Sequence, residues 1–310
     1  MNKLSIKDFA ASFGTTEDDI RENCLEIINS VDFNYSIIDG SARDKLILDI
    51  LKRIDADQQV IGAPKRQQVW DKGWGENLKG FVSSDYDLNE LIPKFIRPNQ
   101  PIRFNLNYIQ PSNPNFELDF FSVFRLWLFK KYFSDYSHVY EFGCGTGFNL
   151  VALAQQYPDK ELYGLDFVPS SVELVNQVGD HHSYNISGHL FDMISPDASF
   201  ALEKNSAMFT IGSIEQLAGK FESFVEYILK QPVSLCVHVE PTIELYDENI
   251  LVDYLAIKFQ GKRGYTDNFL PYLKKLESDK VVEILKVKRL FFGSLFLEGY
   301  NCIIWRPTNK

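Results

Sequence analysis

The sequence predicts an α/β protein: an open, mostly parallel sheet with helices on both faces, preceded by a smaller helical region. Three observations predict it. From Val139 to Leu276, short apolar runs alternate with stretches of helical period, the order of elements that builds a sheet with helices packed on it. The first of these runs stops abruptly at Gly143, Gly145 and Gly147 before a helix takes over, the punctuation of a strand, loop and helix unit. The chain then closes on two strand-like segments, 281–289 and 300–305. An apolar, glycine-bearing turn region, 291–299, joins them into a long hairpin.

Residues 1–110 have a different rhythm and read as a helical N-terminal cap and lid region, with residues 111–310 as the main domain. Thr16 caps a helix from Glu17 to about Val31, with Asp19 at the capping-box position and Ile20, Leu25, Ile27 and Ile28 supplying an apolar stripe. Ser41 opens a second helix, in which Leu46, Ile47, Ile50, Leu51 and Ile54 recur at helical spacing. From Asp57 to Pro98 the pattern weakens, broken by Pro64, Gly73, Gly75, Gly80 and Pro93. Within it Trp70 and Trp74 stand among charges and glycines on what reads as a loop. There they either wall a substrate site or pin the cap to the main domain. Residues 103–116, rich in Asn and Pro, read as a segment crossing between the two parts, and Tyr108 on it is a further candidate for substrate contact. Residues 117–133 form a helix apolar nearly all round, as expected of one sandwiched between sheet and cap.

The glycine loop carries the strongest chemical signal. Glycines at these positions permit positive φ and a close approach of backbone to a ligand, and the start of the following helix offers backbone N–H groups to polar ligand atoms. A dinucleotide loop needs Gly-x-Gly-x-x-Gly, and its third glycine position is Phe148 here. The run is instead Glu141-x-Gly143-x-Gly145-x-Gly147. A second short strand ends in Asp166, nineteen residues after Gly147, where a carboxylate can accept bonds from both hydroxyls of a ribose.

This pattern resembles the first motif of the class I S-adenosylmethionine-dependent methyltransferases, and the likeness covers roughly the last two thirds of the chain. It implies a Rossmann-like sheet whose last strand runs antiparallel, with S-adenosyl-L-methionine as cofactor. In the family the opening acidic residue, Glu141, and the loop of Gly143, Cys144, Gly145 and Gly147 hold the cofactor's amino-acid end. Asp166 and Phe167 follow at the ribose. Asp192 and Met193, at the exit of the third strand, match the position that meets the adenine, against the alternative that Asp192 caps a strand end. Ile211, at the end of the fourth strand, borders the cofactor. A looser likeness, over residues 70–77, Glu240-Pro241 and Arg263-Gly264-Tyr265, is to methyltransferases of bacterial surface-polysaccharide clusters.

Candidate acid–base residues follow from the same topology. His238 and Glu240 fall on one face of the fifth strand by the period of two, at its functional end, and a base there can take the proton that an acceptor loses. Glu215, beyond the fourth strand, reaches either toward the acceptor or back to cap the next helix. Residues 260–266 read as a loop able to close over the acceptor, in which Lys262, Arg263 and Tyr265 suit carboxylate, phosphate or hydroxyl groups.

Composition narrows the partners. A net charge of −10 without a basic stripe argues against nucleic acid, and with the loop residues 262–265 and what the looser likeness implies, the expected substrate is a small polar molecule such as a sugar or sugar nucleotide. No apolar run reaches the length of a membrane span and residues 1–13 lack the apolar centre of a signal peptide, so a cytoplasmic location is expected. Cys24, Cys144, Cys236 and Cys302 are scattered and read as buried free thiols, and the spacing of the histidines argues against a metal site. The competing functions are an NAD(P)-dependent oxidoreductase and a cofactor-binding domain without catalysis. The sequence leaves the oligomeric state open.

Overall fold

The computed structural model describes residues 1–61 and 66–308; Pro64, one of the breaks noted above, lies outside them. A seven-stranded sheet forms the centre. Its strands, in chain order, are β1 (His138–Phe142), β2 (Glu161–Asp166), β3 (Ile186–Leu190), β4 (Ser206–Ile211), β5 (Val233–Glu240), β6 (Val282–Lys288) and β7 (Asn301–Pro307). They lie side by side in the order β6-β7-β5-β4-β1-β2-β3. The pairs among β1 to β5 are parallel, and β7 runs antiparallel to both β5 and β6. This is the Rossmann-like arrangement that the glycine motif implies, the antiparallel last strand included. Strand order reverses between β1 and β4, which opens a crevice beyond their carboxyl ends.

The period of two along each strand sorts side chains into two cores. Val139, Phe209, Val237 and Ile304 join the larger core, with the helices Phe116–Phe133 and Phe148–Gln156. Tyr140, Met208, Cys236 and Trp305 point the other way, onto the helices Glu222–Lys230 and Phe269–Ser278. The helix Phe116–Phe133 is apolar all round for the reason anticipated. Phe129 and Phe133 meet Phe209 of the sheet, while Phe120 and Phe124 meet Phe9 and Phe13 from the N-terminal region. All four cysteines are free and buried. No helix among the described residues is long and apolar enough to cross a membrane.

The N-terminal region holds strands as well as helices. A second, antiparallel sheet of five short strands runs in the order Asn2–Lys3, Asn34–Ile37, Asn107–Pro111, Ile102–Phe104, Phe292–Gly293. Its last strand comes from the segment between β6 and β7, and a cut at residue 110 would fall inside Asn107–Pro111. The segment read as a crossing is therefore a hairpin. Its turn is Asn105-Leu106, both at positive φ, a conformation that Leu rarely adopts and that residue type alone does not signal. A helix Ile6–Phe13, closed by a Ser5–Asp8 capping box and by Gly14, was also not anticipated. Asp19 does not complete the expected capping box: its carboxylate accepts from Trp127 Nε1 (2.9 Å) and Lys131 Nζ (2.7 Å).

The largest difference from expectation is the tryptophan stretch, which is no loop but the helix Arg66–Ser83. Glycine in a helix interior costs about 1 kcal/mol relative to Ala, so Gly73, Gly75 and Gly80 argue against helix locally. Packing on the helix Pro169–His182 outweighs them.

Buried charges join the small sheet to the rest. Arg103, wholly buried, donates to Val252 O (2.7 Å), Leu295 O (3.3 Å) and Tyr108 Oη (3.1 Å). Arg289 donates to Asp253 Oδ2 (2.8 Å) and Glu298 Oε2 (2.7 Å), both carboxylates being buried. Removing one member of such a group strands the others. Arg289→Ala is expected to lower stability by about 3–5 kcal/mol, read from the urea unfolding midpoint, whereas Arg306→Ala, on an exposed pair with Glu283, should leave it within about 1 kcal/mol of wild type.

Candidate active site

The glycine loop is held by its own backbone and by the end of β2. Gly143, Gly145 and Gly147 all sit at positive φ. The N–H groups of Gly143 and Cys144 donate to Leu165 O (2.7 and 3.1 Å), and Gly145 N–H donates to Asp166 Oδ2 (2.9 Å). Space is as restrictive as conformation: a methyl group on Gly143 would stand 2.4 Å from Ser213 Cβ, in the turn after β4. Cys144 turns its side chain inward, against Gly164 of β2 and Ser171, and burial pushes its thiol well above the ordinary range. Only its backbone belongs to the loop's surface.

Two buried carboxyls flank the loop. Burial pushes Asp166 up to about 6, although N–H groups of Gly145 and Val168 (3.2 Å) offset part of the cost. Burial pushes Glu141 further, to about 8, against the opposing pull of Asn149 and Arg125. Asn149 Nδ2 donates to Glu141 Oε1 (2.7 Å), while Glu141 Oε2 is buried without a partner among the described residues. Arg125 completes this group: its guanidinium lies over the Phe148 ring at 3.9 Å and donates to Asn149 Oδ1 (3.1 Å). Sequence reading missed Arg125 and Asn149. A lone arginine inside an otherwise aromatic helix was the available signal for the first, and nothing marked the second.

The remaining cofactor candidates are placed unevenly. Met193 Cε stands 3.5 Å from the position of a methyl on Gly143, and Ile211 closes β4. Phe167 accepts at its carbonyl from Gln67 Nε2 (3.2 Å). Asp192 is exposed, and its Oδ1 accepts from Ile194 N–H (2.8 Å), the strand-end turn that the sequence left as the alternative.

A polar cluster fills the ends of β4 and β5 beside the loop. Thr210 Oγ1 donates to Glu240 Oε1 (2.7 Å) and accepts from His238 Nδ1 (2.8 Å), so one hydroxyl links the two residues that the period of two placed on one face. Ser213 N–H also donates to Glu240 Oε1 (3.2 Å), and Ser213 Oγ donates to Phe142 O (2.9 Å) at the end of β1. Burial drives His238 down to about 3, which keeps the ring neutral. Glu215, in the turn after β4, is pushed well above the carboxylate range by burial and by Glu240 beside it. The Oε2 atoms of Glu215 and Glu240 are both buried, and neither meets a donor elsewhere in the described residues. Burial and the neighbouring carboxyl together favour the protonated form of Glu215.

The predicted substrate residues do not gather in one place. Arg263 closes the helix Leu251–Arg263, so the expected loop shrinks to residues 264–266; its Nε donates to Asp57 Oδ2 (2.8 Å) and its Nη1 to Tyr265 Oη (3.2 Å). Tyr265 bonds to Gln216 and lies near Glu215, which puts it beside the polar cluster. Tyr108 is fully buried among Ile47, Ile50, Val252 and Leu255, with no face open to a ligand. Trp70 and Trp74 stack with ring centroids 5.2 Å apart, and Trp74 lies against Gly145.

Residues 139–228 match a family model described as a methyltransferase domain. The sheet order and the glycine loop agree with a methyltransferase domain over that stretch and with S-adenosylmethionine as its cofactor. No curated protein sequence is significantly similar to the chain. Among solved structures, the [4+2]-cyclase SpnF is similar over 81% of this chain and 99% of its own, at 11% identity and a TM-score of 0.51. Human N-acetylserotonin methyltransferase in complex with SAM is similar over 87% of this chain and 68% of its own, at 14% identity and a TM-score of 0.43. PigF with SAH is similar over 61% of this chain, at 14% identity and a TM-score of 0.43, and this chain spans 59% of its length.

The residues fit the cofactor: a buried carboxylate ends β2, Glu141 holds an oxygen without a partner, and the loop lacks side chains where a ligand must come close. Ribose hydroxyls donating to Asp166 would favour its ionised form, so cofactor affinity should fall as pH drops through about 6. Calorimetric titration with S-adenosylhomocysteine should show that slope in the wild type and not in Asp166→Asn. Asp166→Ala should weaken binding roughly ten- to a hundredfold, the loss of one or two charge-assisted hydrogen bonds.

Proposed function

We propose that the protein transfers the methyl group of S-adenosylmethionine to an oxygen or nitrogen of a small polar acceptor, with sugars and sugar nucleotides as the first candidates. The observation that carries this reading is the carboxyl pair Glu215 and Glu240, joined to the glycine loop through Ser213 and lying at the carboxyl ends of β4 and β5. Bound S-adenosylmethionine supplies an electrophilic methyl on a sulfonium sulfur. The chain's part is to hold the acceptor in line and to take the proton released as its hydroxyl or amine forms the new bond.

Glu240 is the base in this reading. Thr210 and Ser213 fix one of its oxygens, leaving the other toward Glu215 and the crevice. His238, neutral and tied to Thr210 through Nδ1, is a positioning residue: its N–H fixes the direction in which the threonine hydroxyl donates. Tyr265 and Gln216 border the same cluster and suit an acceptor rich in hydroxyls. Arg263 has its charge matched by Asp57, so the hydroxyls rather than a phosphate of the acceptor carry the recognition here. The acidic net charge of −10 agrees with a small acceptor rather than a nucleic acid.

The test follows S-adenosylhomocysteine formation against a panel of sugars, sugar nucleotides, amino sugars and small phenols, with protein and RNA as controls. Activity on the hydroxylated members supports the reading; transfer to protein or RNA alone sinks it, and cofactor binding without turnover on any acceptor means a binding domain. With an active acceptor in hand, Glu240→Gln is expected to lower kcat by about 10²–10⁴-fold with little change in cofactor affinity.

A further inference from the structure

The helix Arg66–Ser83 lies against the crevice read as the cofactor site, with contacts on the loops after β1 and β2. Gln67 reaches Phe167 O, and Asp71 takes both the N–H (3.2 Å) and, at its carbonyl, the hydroxyl (2.9 Å) of Ser170. Just beyond the helix, Leu91 O accepts from Thr146 Oγ1 of the glycine loop (2.6 Å). Between these anchors stands Trp74. A methyl group on Gly145 would lie 3.0 Å from its Cζ2 and 3.3 Å from its Cη2, so the indole edge rests on the bare face of that glycine. Trp70 backs it, the two rings being inclined by 21°.

A glycine at φ +53° in this loop serves close approach by a ligand, and an aromatic ring occupies that approach. The carboxylate suited to a ribose is engaged as well, accepting from Gly145 N–H on the same residue. We propose that Trp74 is a resident occupant of the cofactor site: its indole and the S-adenosyl ligand compete for the face of Gly145, and binding lifts the Trp70–Trp74 pair off the glycine loop. This assigns the pair to the cofactor side of the crevice rather than to the acceptor, and it rests on the reading of that crevice as the S-adenosylmethionine site. Only the first turns of the helix need to move: the bonds that anchor them to the β2 loop come from Gln67 and Asp71 to half-buried or exposed groups, while Phe81 near the other end stays buried in the main core.

Competition fixes the sign of the test. A group that must leave before a ligand binds lowers the apparent affinity by the fraction of time it stays, so deleting it tightens binding. Titration of the full chain with S-adenosylhomocysteine by calorimetry should give a Kd about tenfold lower for Trp74→Ala, the size expected for one aromatic contact, and a smaller gain for Trp70→Ala. Lys72→Ala, exposed on the same helix, should bind as wild type does. Tryptophan emission should shift to the red on ligand addition in the wild type and in Trp70→Phe, and by clearly less in Trp74→Phe, where Trp70 alone reports from the pair. Weaker binding by Trp74→Ala would overturn the proposal and make Trp74 a wall of the bound cofactor. An emission shift undiminished in Trp74→Phe would overturn it too. Absence of binding by the wild type would instead remove the cofactor reading itself. If Trp74→Ala does not fold, the emission of Trp74→Phe and the affinity of Trp70→Ala decide alone.

Discussion

The bond from Gly145 N–H to Asp166 is the contact on which the site depends. It ties the loop after β1 to the end of β2, and with the two N–H groups on Leu165 O it holds three consecutive residues in a conformation that only glycines at 143 and 145 allow. Everything nearby packs on that fixed loop. Ser213 closes against Gly143 from the β4 side, Trp74 against Gly145 from above, and Cys144 against Gly164 from below. A loop that loses no further freedom when a ligand arrives favours tight binding of a flexible cofactor.

Burying so many carboxyls is costly, and the chain concentrates the cost at the functional end of the sheet. Asp166, Glu141, Glu215 and Glu240 all lie there, and Glu141, Glu215 and Glu240 each keep one oxygen without a partner among the described residues. Another buried acidic group, Asp253 and Glu298 around Arg289, has its oxygens hydrogen-bonded to a shared cation and fastens the small sheet to the C-terminal segments. The contrast separates two uses of buried charge. A matched set holds parts of a fold together, whereas an under-satisfied set at the mouth of a crevice is kept for something that arrives.

The sheet order also explains why one end of the molecule carries all of this. Strands β1 and β4 are neighbours whose connections leave in opposite directions, so the loops after them part and leave a crevice. The N-terminal region covers that crevice with the helix Arg66–Ser83 while its small sheet borrows Phe292–Gly293 from the far end of the chain. The same fold carries a [4+2]-cyclase in SpnF, so chemistry here is a property of the residues in the crevice and not of the sheet.

Sequence alone determined the elements whose causes are local. Positive φ at 143, 145 and 147 demands glycine, apolar runs of four to eight residues mark β1, β2, β4 and β5, and the period of two sets His238 and Glu240 on one face. Asp166 was legible from its spacing, and the aromatic helix from its lack of a polar side. Only the tertiary structure decided what depends on segments far apart in the chain. Glu215 meets Glu240 because two loops converge, Thr210 joins His238 to Glu240 across two strands, and Tyr108 is buried by helices that sequence places elsewhere. The helix through Gly73, Gly75 and Gly80 forms against its own propensities, because packing on a neighbouring helix outweighs them. The strands of the small sheet, two to five residues each, are too short to carry a period and take their conformation from their partners.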